Sequence, residues 1–277
     1  MKIWDAALKQ ISNQDVAIYG PQSFREYLLS NDLPKVNTAP EISIDSFELL
    51  RKELKVNNAM VLRLGASEKG TGTRFVLVKV RDSLKDFFIM DDEVLSDKGQ
   101  PFTAVSRTKE LLGYSIMPFL SETSLVNLAL TSGIISHALG LDNNAIPAAP
   151  TTGKAGFSFK LKAHSKTTEV LSHNKGQVEI DALFVEKRQG KDTLFVIEAK
   201  SNSHKSLAKH KLVYPILAVA QKVPSDIPIV PVYLRIVKHK GSYSFHIVEC
   251  IFPDPRKEIT SIDNLKAKKH SNYILKL

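Results

Sequence analysis

The strongest alternation of apolar and polar positions lies in the last half of the chain. Residues 177–185 and 194–200 read as two strands, and Arg188, Gln189, Gly190 and Lys191 between them have hairpin-loop composition. In the second segment Leu194, Val196, Glu198 and Lys200 share one face, and Phe195, Ile197 and Ala199 share the other. Such a strand is apolar on both sides until it reaches Glu198, the pattern of a strand buried between two layers. Residues 157–161 alternate as a half-exposed strand, residues 167–171 are a weaker strand candidate, and Asn174, Lys175 and Gly176 read as a turn. Residues 229–237 and 243–252 complete the strand set, joined near Lys240 and Gly241.

Helical periodicity marks two further segments. Residues 121–140 open on Ser121 as an N-cap, run almost continuously apolar from Leu125 to Leu139 and stop at Gly140. Residues 207–221 place Leu207, His210 or Lys211, and Tyr214 on one stripe, and Pro215 predicts a kink or break. Upstream, residues 23–30 and 46–54 look helical, and residues 58–64 and 74–80 look like strands joined by a glycine-bearing loop. That loop lacks the Gly-Lys-Ser/Thr ending of a phosphate loop and leads into a strand, so a surface hairpin is the expectation. Residues 145–150 read as a linker or loop. The order predicts an α/β class, with an α+β region over 1–118 and a mixed sheet flanked by helices over 119–277.

A regular hairpin centred on the loop at 188–191 sets Asp181 opposite Glu198, with side chains roughly 5 Å apart. Two carboxylates held so close favour a cation between them. Glu179 falls on the face of Asp181 and is a candidate additional acid. The plainer alternative is that Glu198 and Lys200 mark the solvated end of a core strand. Residues 201–224 contain no acid but carry His204, Lys205, Lys209, His210, Lys211 and Lys222, which suits a polyanion, although a solvated basic helix face has the same composition.

The order Glu179-Ile180-Asp181, apolar strand, short loop, second strand ending Ile197-Glu198-Ala199-Lys200, then a helix with His210 and Lys211 resembles the PD-(D/E)XK nuclease superfamily and, within it, type II restriction endonucleases. The likeness spans residues 123–252 by order of elements, with the specific motif confined to 177–215. Ile180 stands where the family carries Pro, and many relatives carry Gln where Lys211 stands. The resemblance implies a restriction-endonuclease-like core in which Asp181, Glu198 and the backbone carbonyl of Ala199 hold Mg2+, with Lys200 orienting the attacking water. It also implies double-stranded DNA as substrate, a homodimer for a palindromic site, and a place in restriction-modification. Lys205, Lys209 and Lys211 are the expected phosphate contacts. Base reading is assigned to Arg63 and Arg74 of the N-terminal region, with Lys69 and Lys79 as further DNA contacts. Two alternatives remain open: a repair or junction-resolving nuclease of the same superfamily, and a non-catalytic DNA-binding protein on a nuclease scaffold.

Composition agrees with an anionic partner. The 277 residues carry a formal net charge of +9, with a pI near 9.4. The tail at 265–270 adds to the basic surface. A single cysteine, Cys250, excludes an internal disulfide and a cysteine-based zinc cluster. No apolar run has membrane length, so a soluble, cytoplasmic protein is expected. Neither His-Glu-Xaa-Xaa-His nor Gly-Xaa-Ser-Xaa-Gly occurs, which leaves zinc-hydrolase and serine-hydrolase chemistry without local support.

Overall fold

The computed structural model describes residues 2–11, 14–67, 72–96, 98–105, 109–142 and 149–277. Its strands are β1 (Val16–Ser23), β2 (Ala59–Ala66), β3 (Thr73–Val80), β4 (Phe88–Met90), β5 (Gln100–Phe102), β6 (Thr151–Leu161), β7 (Leu171–Arg188), β8 (Lys191–Lys200), β9 (Ser206–Ala208), β10 (Ile229–His239), β11 (Ser242–Ile251) and β12 (Lys266–Lys276). The α-helices are α1 (Asp5–Gln10), α2 (Phe24–Ser30), α3 (Thr38–Ile42), α4 (Lys52–Val56), α5 (Asp91–Val94), α6 (Leu112–Ile116), α7 (Glu122–Thr131), α8 (Ile134–Leu139) and α9 (His210–Ala220).

Among the described residues, ten strands join in one sheet of order β1-β3-β2-β7-β8-β10-β11-β12-β5, with β6 on β7. It is mixed: β8 and β10 run parallel, as do β12 and β5, whereas β7–β8 and β10–β11 are antiparallel. The α/β class expected from the sequence is therefore observed.

The alternation along β8 explains the layering. Leu194 and Val196 enter one apolar core with α9 and the N-terminal elements, whereas Phe195, Ile197 and Ala199 enter a second core with α7 and α8. Burying a side chain the size of Phe195 stabilises by about 1.5–3 kcal/mol, so both faces are held strongly. The first core runs from Trp4 to Leu265 and joins the segments on either side of residue 118.

Several expectations need correction. The helix foreseen over 121–140 is two helices, because the chain breaks at Ser132 and Gly133, where Gly133 has φ +84° and Val105 N donates to Ser132 O. Ser121 does cap the first, its side chain accepting from Ser124 N at 3.2 Å. Residues 206–208 are strand β9, paired with β4, and only from His210 does the chain become helical. Pro215 lies inside α9, which runs through it unbroken. Residues 46–54 form a 3-10 turn, Phe47–Leu49, and then α4.

Asn174, Lys175 and Gly176 do not make a turn but continue β7. The positive φ of Lys175 and the register shift between Phe157 and Phe159 put their turn chemistry into an irregularity of the ladder. There β2 crosses β7 through the single pair Gly65↔Asn174. A Cβ at Gly65 would stand 2.2 Å from Asn174 O, so the crossing requires glycine. Strands β1 and β12 were not foreseen; the basic tail is largely the exposed side of β12. Most of the proposed linker at 145–150, and Lys69, lie outside the described residues.

Candidate active site

The β7–β8 hairpin has the register its loop composition predicts. Its ladder runs from Arg188↔Lys191 to Ala182↔Ile197, around a two-residue loop in which Gln189 and Gly190 both have positive φ. The Asp142 carboxylate holds that loop, accepting from Gln189 N at 2.8 Å and Gly190 N at 2.7 Å. One residue beyond the last pair, a side chain replaces the ladder: Asp181 Oδ2 accepts from Ala199 N at 2.8 Å. The residue sequence thus opens the sheet at the point where the two acids meet.

On its other side β8 lies beside β10, in register Tyr233↔Glu198 and Arg235↔Lys200. Asp91 of α5 ties these neighbours down, accepting from Tyr233 Oη at 3.0 Å and lying 3.2 Å from Arg235 Nε. Arg235 also donates to the Lys200 carbonyl at 3.4 Å. The strand carrying Glu198 and Lys200 is therefore fixed from both flanks.

Lys200 Nζ stands 2.8 Å from Glu198 Oε1 and 3.9 Å from Glu122 Oε2. Lys211 Nζ, from α9, is 3.9 Å from the same Glu198 oxygen and 3.6 Å from Asp45 Oδ1. Glu198 is only 2 % exposed, and its Oε1 is the oxygen that both ammonium groups approach. Burial, aided by the nearby Asp181 charge, pushes the Glu198 carboxyl up to about 7, against the pull of Lys211 and Lys200. Burial likewise raises Asp181, against the Ala199 N–H and Lys200. Desolvation is the largest influence on Lys200 and Lys211 and opposes their charge, but the surrounding carboxylates together outweigh it and hold both raised: Glu198, Glu122 and Asp181 for Lys200, and Glu198, Asp45 and Asp181 for Lys211.

Two desolvated carboxyls that repel each other form a hard oxygen donor pair that fits a divalent cation. Among the described residues no group of three or more His, Cys, Asp or Glu side chains has metal-holding geometry. Any cation at Asp181 and Glu198 would fill its remaining positions from water, phosphate or backbone oxygen, the manner in which Mg2+ is commonly held. Of Ala199, it is the N–H that Asp181 engages.

The other expected site residues divide. Lys211 joins the centre directly. Arg63 lies beside it, lining a cleft with Lys211, His173, His210 and Tyr214. Lys205 is exposed on the segment after β8, its N–H donating to Glu48 Oε1 at 2.9 Å. Lys209 is buried, 6 % exposed, with desolvation lowering it to about 8, so it offers no surface contact to a phosphate. Arg74 sits on β3 opposite Ser23, outside the lining of the Arg63 cleft. Glu179 is exposed, 3.8 Å from Lys154 Nζ, and does not join the two buried carboxyls.

Sequence reasoning missed Glu122, whose Oε1 accepts from Ser201 N at 2.6 Å and so clamps the end of β8. Its one signal was position: an acid directly after an N-cap serine, ordinary for any helix start. Asp45 and Asp91 had no signal at all, because each reaches the centre from a segment remote in sequence.

Residues 92–272 match the family model described as Domain of unknown function (DUF6997), which is more than half of the 277 residues. The chain belongs to this family. The match to DUF6997 begins at α5, one residue after Asp91, and takes in the β7–β8 hairpin, Glu122, Lys211 and Arg235. No curated protein and no solved structure matches the chain.

Proposed function

We propose that the chain is a Mg2+-dependent endonuclease that hydrolyses phosphodiester bonds of double-stranded DNA. The observation that carries this reading is the meeting of Asp181, Glu198 and Lys200 where the β7–β8 ladder opens, with Lys200 Nζ 2.8 Å from Glu198 Oε1. Asp181 and Glu198 would hold the metal, which supplies a polarised phosphate oxygen and an acidified water. Lys200, kept charged by the carboxylates beside it, orients the attacking water and balances negative charge that builds on the phosphate. Lys211 approaches the same carboxylate from α9 and steadies it. Asp91, through Tyr233 and Arg235, fixes the strand against movement during the reaction. The net charge of +9 supports a polyanionic substrate.

Within this reading a type II restriction endonuclease is the finer proposal, acting as a homodimer because a chain with one such centre cuts one strand of a two-fold site. The test is incubation of the purified protein with phage DNA in Mg2+, in Ca2+ and in chelator, followed by sequencing of the ends. Discrete cuts in Mg2+ and none in the other two are expected. Calcium, larger and less demanding in geometry, should support binding without cutting. Equal cleavage in Mg2+ and in chelator overturns the reading.

A further inference from the structure

Beside the two carboxyls, on the α9 side of β7, lies a small cleft lined by Asp45, Arg63, His173, Glu179, His210, Lys211 and Tyr214. Its volume is about 70 Å³, enough to admit a compact tetrahedral group.

The lining is prepared and incomplete. Arg63 has no ion-pair partner among the described residues, and its Nε is buried without a hydrogen bond. His210 is 6 % exposed with Nδ1 unpartnered, and His173 is 1 % exposed with Nε2 unpartnered. Buried polar groups left without partners are destabilising, and a hydrogen-bonding occupant relieves that. The walls are rigid: Tyr214 Oη donates to Arg63 O at 2.9 Å, joining α9 to β2, and His173 Nδ1 donates to Phe157 O at 3.1 Å, its ring stacked on Phe159. Two residues past Arg63, Gly65 makes the close crossing on β7, which sets where the guanidinium stands.

Charge selects the occupant. Lys211 is balanced by Asp45 at 3.6 Å and Glu198 at 3.9 Å, and the Glu179 carboxylate lies 3.8 Å from Lys154 Nζ, whereas Arg63 has no ion pair among the described residues. Both imidazoles are pushed down to about 4 by burial and are neutral near pH 7. A cation would meet Arg63 and Lys211, and among the described residues no group of three or more His, Cys, Asp or Glu side chains is placed to hold it. An anion meets an unpaired guanidinium with hydrogen-bonding groups around it.

We propose that the Arg63–His210–Lys211 cleft binds a phosphate group next to the one being cut. Arg63 Nε–H and Lys211 donate to the phosphate oxygens, His210 offers the tautomer that donates from Nδ1, and His173 Nε2 accepts from a bridging water. The inference rests on the nuclease reading for its source of phosphate, and two sources share this chemistry: an internucleotide phosphate of the duplex and the terminal phosphate of a DNA end.

The test uses the full chain in metal-free buffer, where binding is read without cleavage. The ring resonances of His173 and His210 are followed by NMR as inorganic phosphate is added, and anisotropy is measured with duplexes bearing a 5′-phosphate, a 5′-hydroxyl or a single neutral methylphosphonate linkage. Saturable movement of both rings is expected, with about tenfold or more weaker binding in Arg63→Gln. The log–log salt slope on DNA should drop by about one unit in the same variant. Arg63→Lys, which keeps the charge and loses the fork, should fall between wild type and Arg63→Gln, and covers the case in which Arg63→Gln does not fold. Affinity lost to one methylphosphonate assigns the cleft to an internucleotide phosphate; affinity lost only with the 5′-phosphate assigns it to a DNA end. Rings unmoved by phosphate, or Arg63→Gln and Arg63→Lys both binding as wild type does, overturn the proposal. Phosphate binding without DNA cleavage in Mg2+ leaves this cleft standing and removes the nuclease reading, and cleavage without phosphate binding does the reverse.

Discussion

The β7–β8 hairpin carries a lysine–carboxylate pair at each end, and the two are almost equal in length. Near the turn, Lys187 Nζ lies 2.9 Å from Asp192 Oδ1 with the side chains 61 % and 55 % exposed. At the open end, Lys200 Nζ lies 2.8 Å from Glu198 Oε1 with exposures of 13 % and 3 %. Distance therefore says nothing about their roles; solvent does. Water screens the first pair until its worth is about 0–1 kcal/mol. Around the second, water has been replaced by Tyr233, Ala199 and the body of α9, so each charge feels the others strongly and desolvation becomes the largest influence on Glu198.

The sharpest way to break this contrast is to remove a carboxyl from the open end. Asp181→Ala and Glu198→Ala should each lower DNA cleavage by about 10³ or more, because a metal contribution of several kcal/mol is lost. DNA binding measured in Ca2+ by anisotropy should remain within a few-fold. Cleavage near the wild-type rate in either variant would place the chemistry elsewhere. Lys200→Ala comes next, with a fall of about 10² in single-turnover rate if it balances charge in the transition state. An unchanged rate would make Lys200 only the counterion that keeps Glu198 folded inside.

The pH dependence of metal-free stability sharpens the comparison further. Glu198 is raised in the folded state from an ordinary value of 4.5 to about 7, so between those values the native state holds a proton that the unfolded state has released. Stability should fall as pH rises across that window and level off above about 7. Against Glu198→Gln, which does not titrate, the wild type should lose roughly 3 kcal/mol between pH 4.5 and pH 8, read from urea midpoints. A flat difference would mean that Glu198 is ionised throughout. At the other end of the hairpin, Lys187→Ala should change stability by less than about 0.5 kcal/mol and leave cleavage untouched. A large loss there would show that the exposed pair is structural after all.

The hairpin was legible because one observation fixed it twice. The Arg188-Gln-Gly-Lys191 turn set the register, and the register set Asp181 across from Glu198; both follow from local chemistry and a period of two. Strand positions on β2, β3, β10 and β11 were readable for the same reason. What failed was chemistry with more than one meaning. Asn174-Lys-Gly176 spelled a turn and makes an irregularity within β7. The apolar run after Ser121 spelled one helix, yet Gly133 divides it. Lys209 counted toward a basic stripe, although a residue just before α9 points into the core and not along the surface of Lys205. Glu122, Asp45 and Asp91 reach the centre only through tertiary approach, which no periodicity records.

The crossing at Gly65 and Asn174 bears on how this protein can change over generations. A strand of the N-terminal segment rests directly on the strand that carries Asp181, one core runs beneath both, and the family match itself starts upstream of residue 118. Under the proposed nuclease reading, new target preferences would not arrive by swapping the front of the chain for another, because that front is built into the sheet of the candidate site. On that reading they would accumulate substitution by substitution on a frame that also holds the two carboxyls in place, so each change at the front is felt at Asp181.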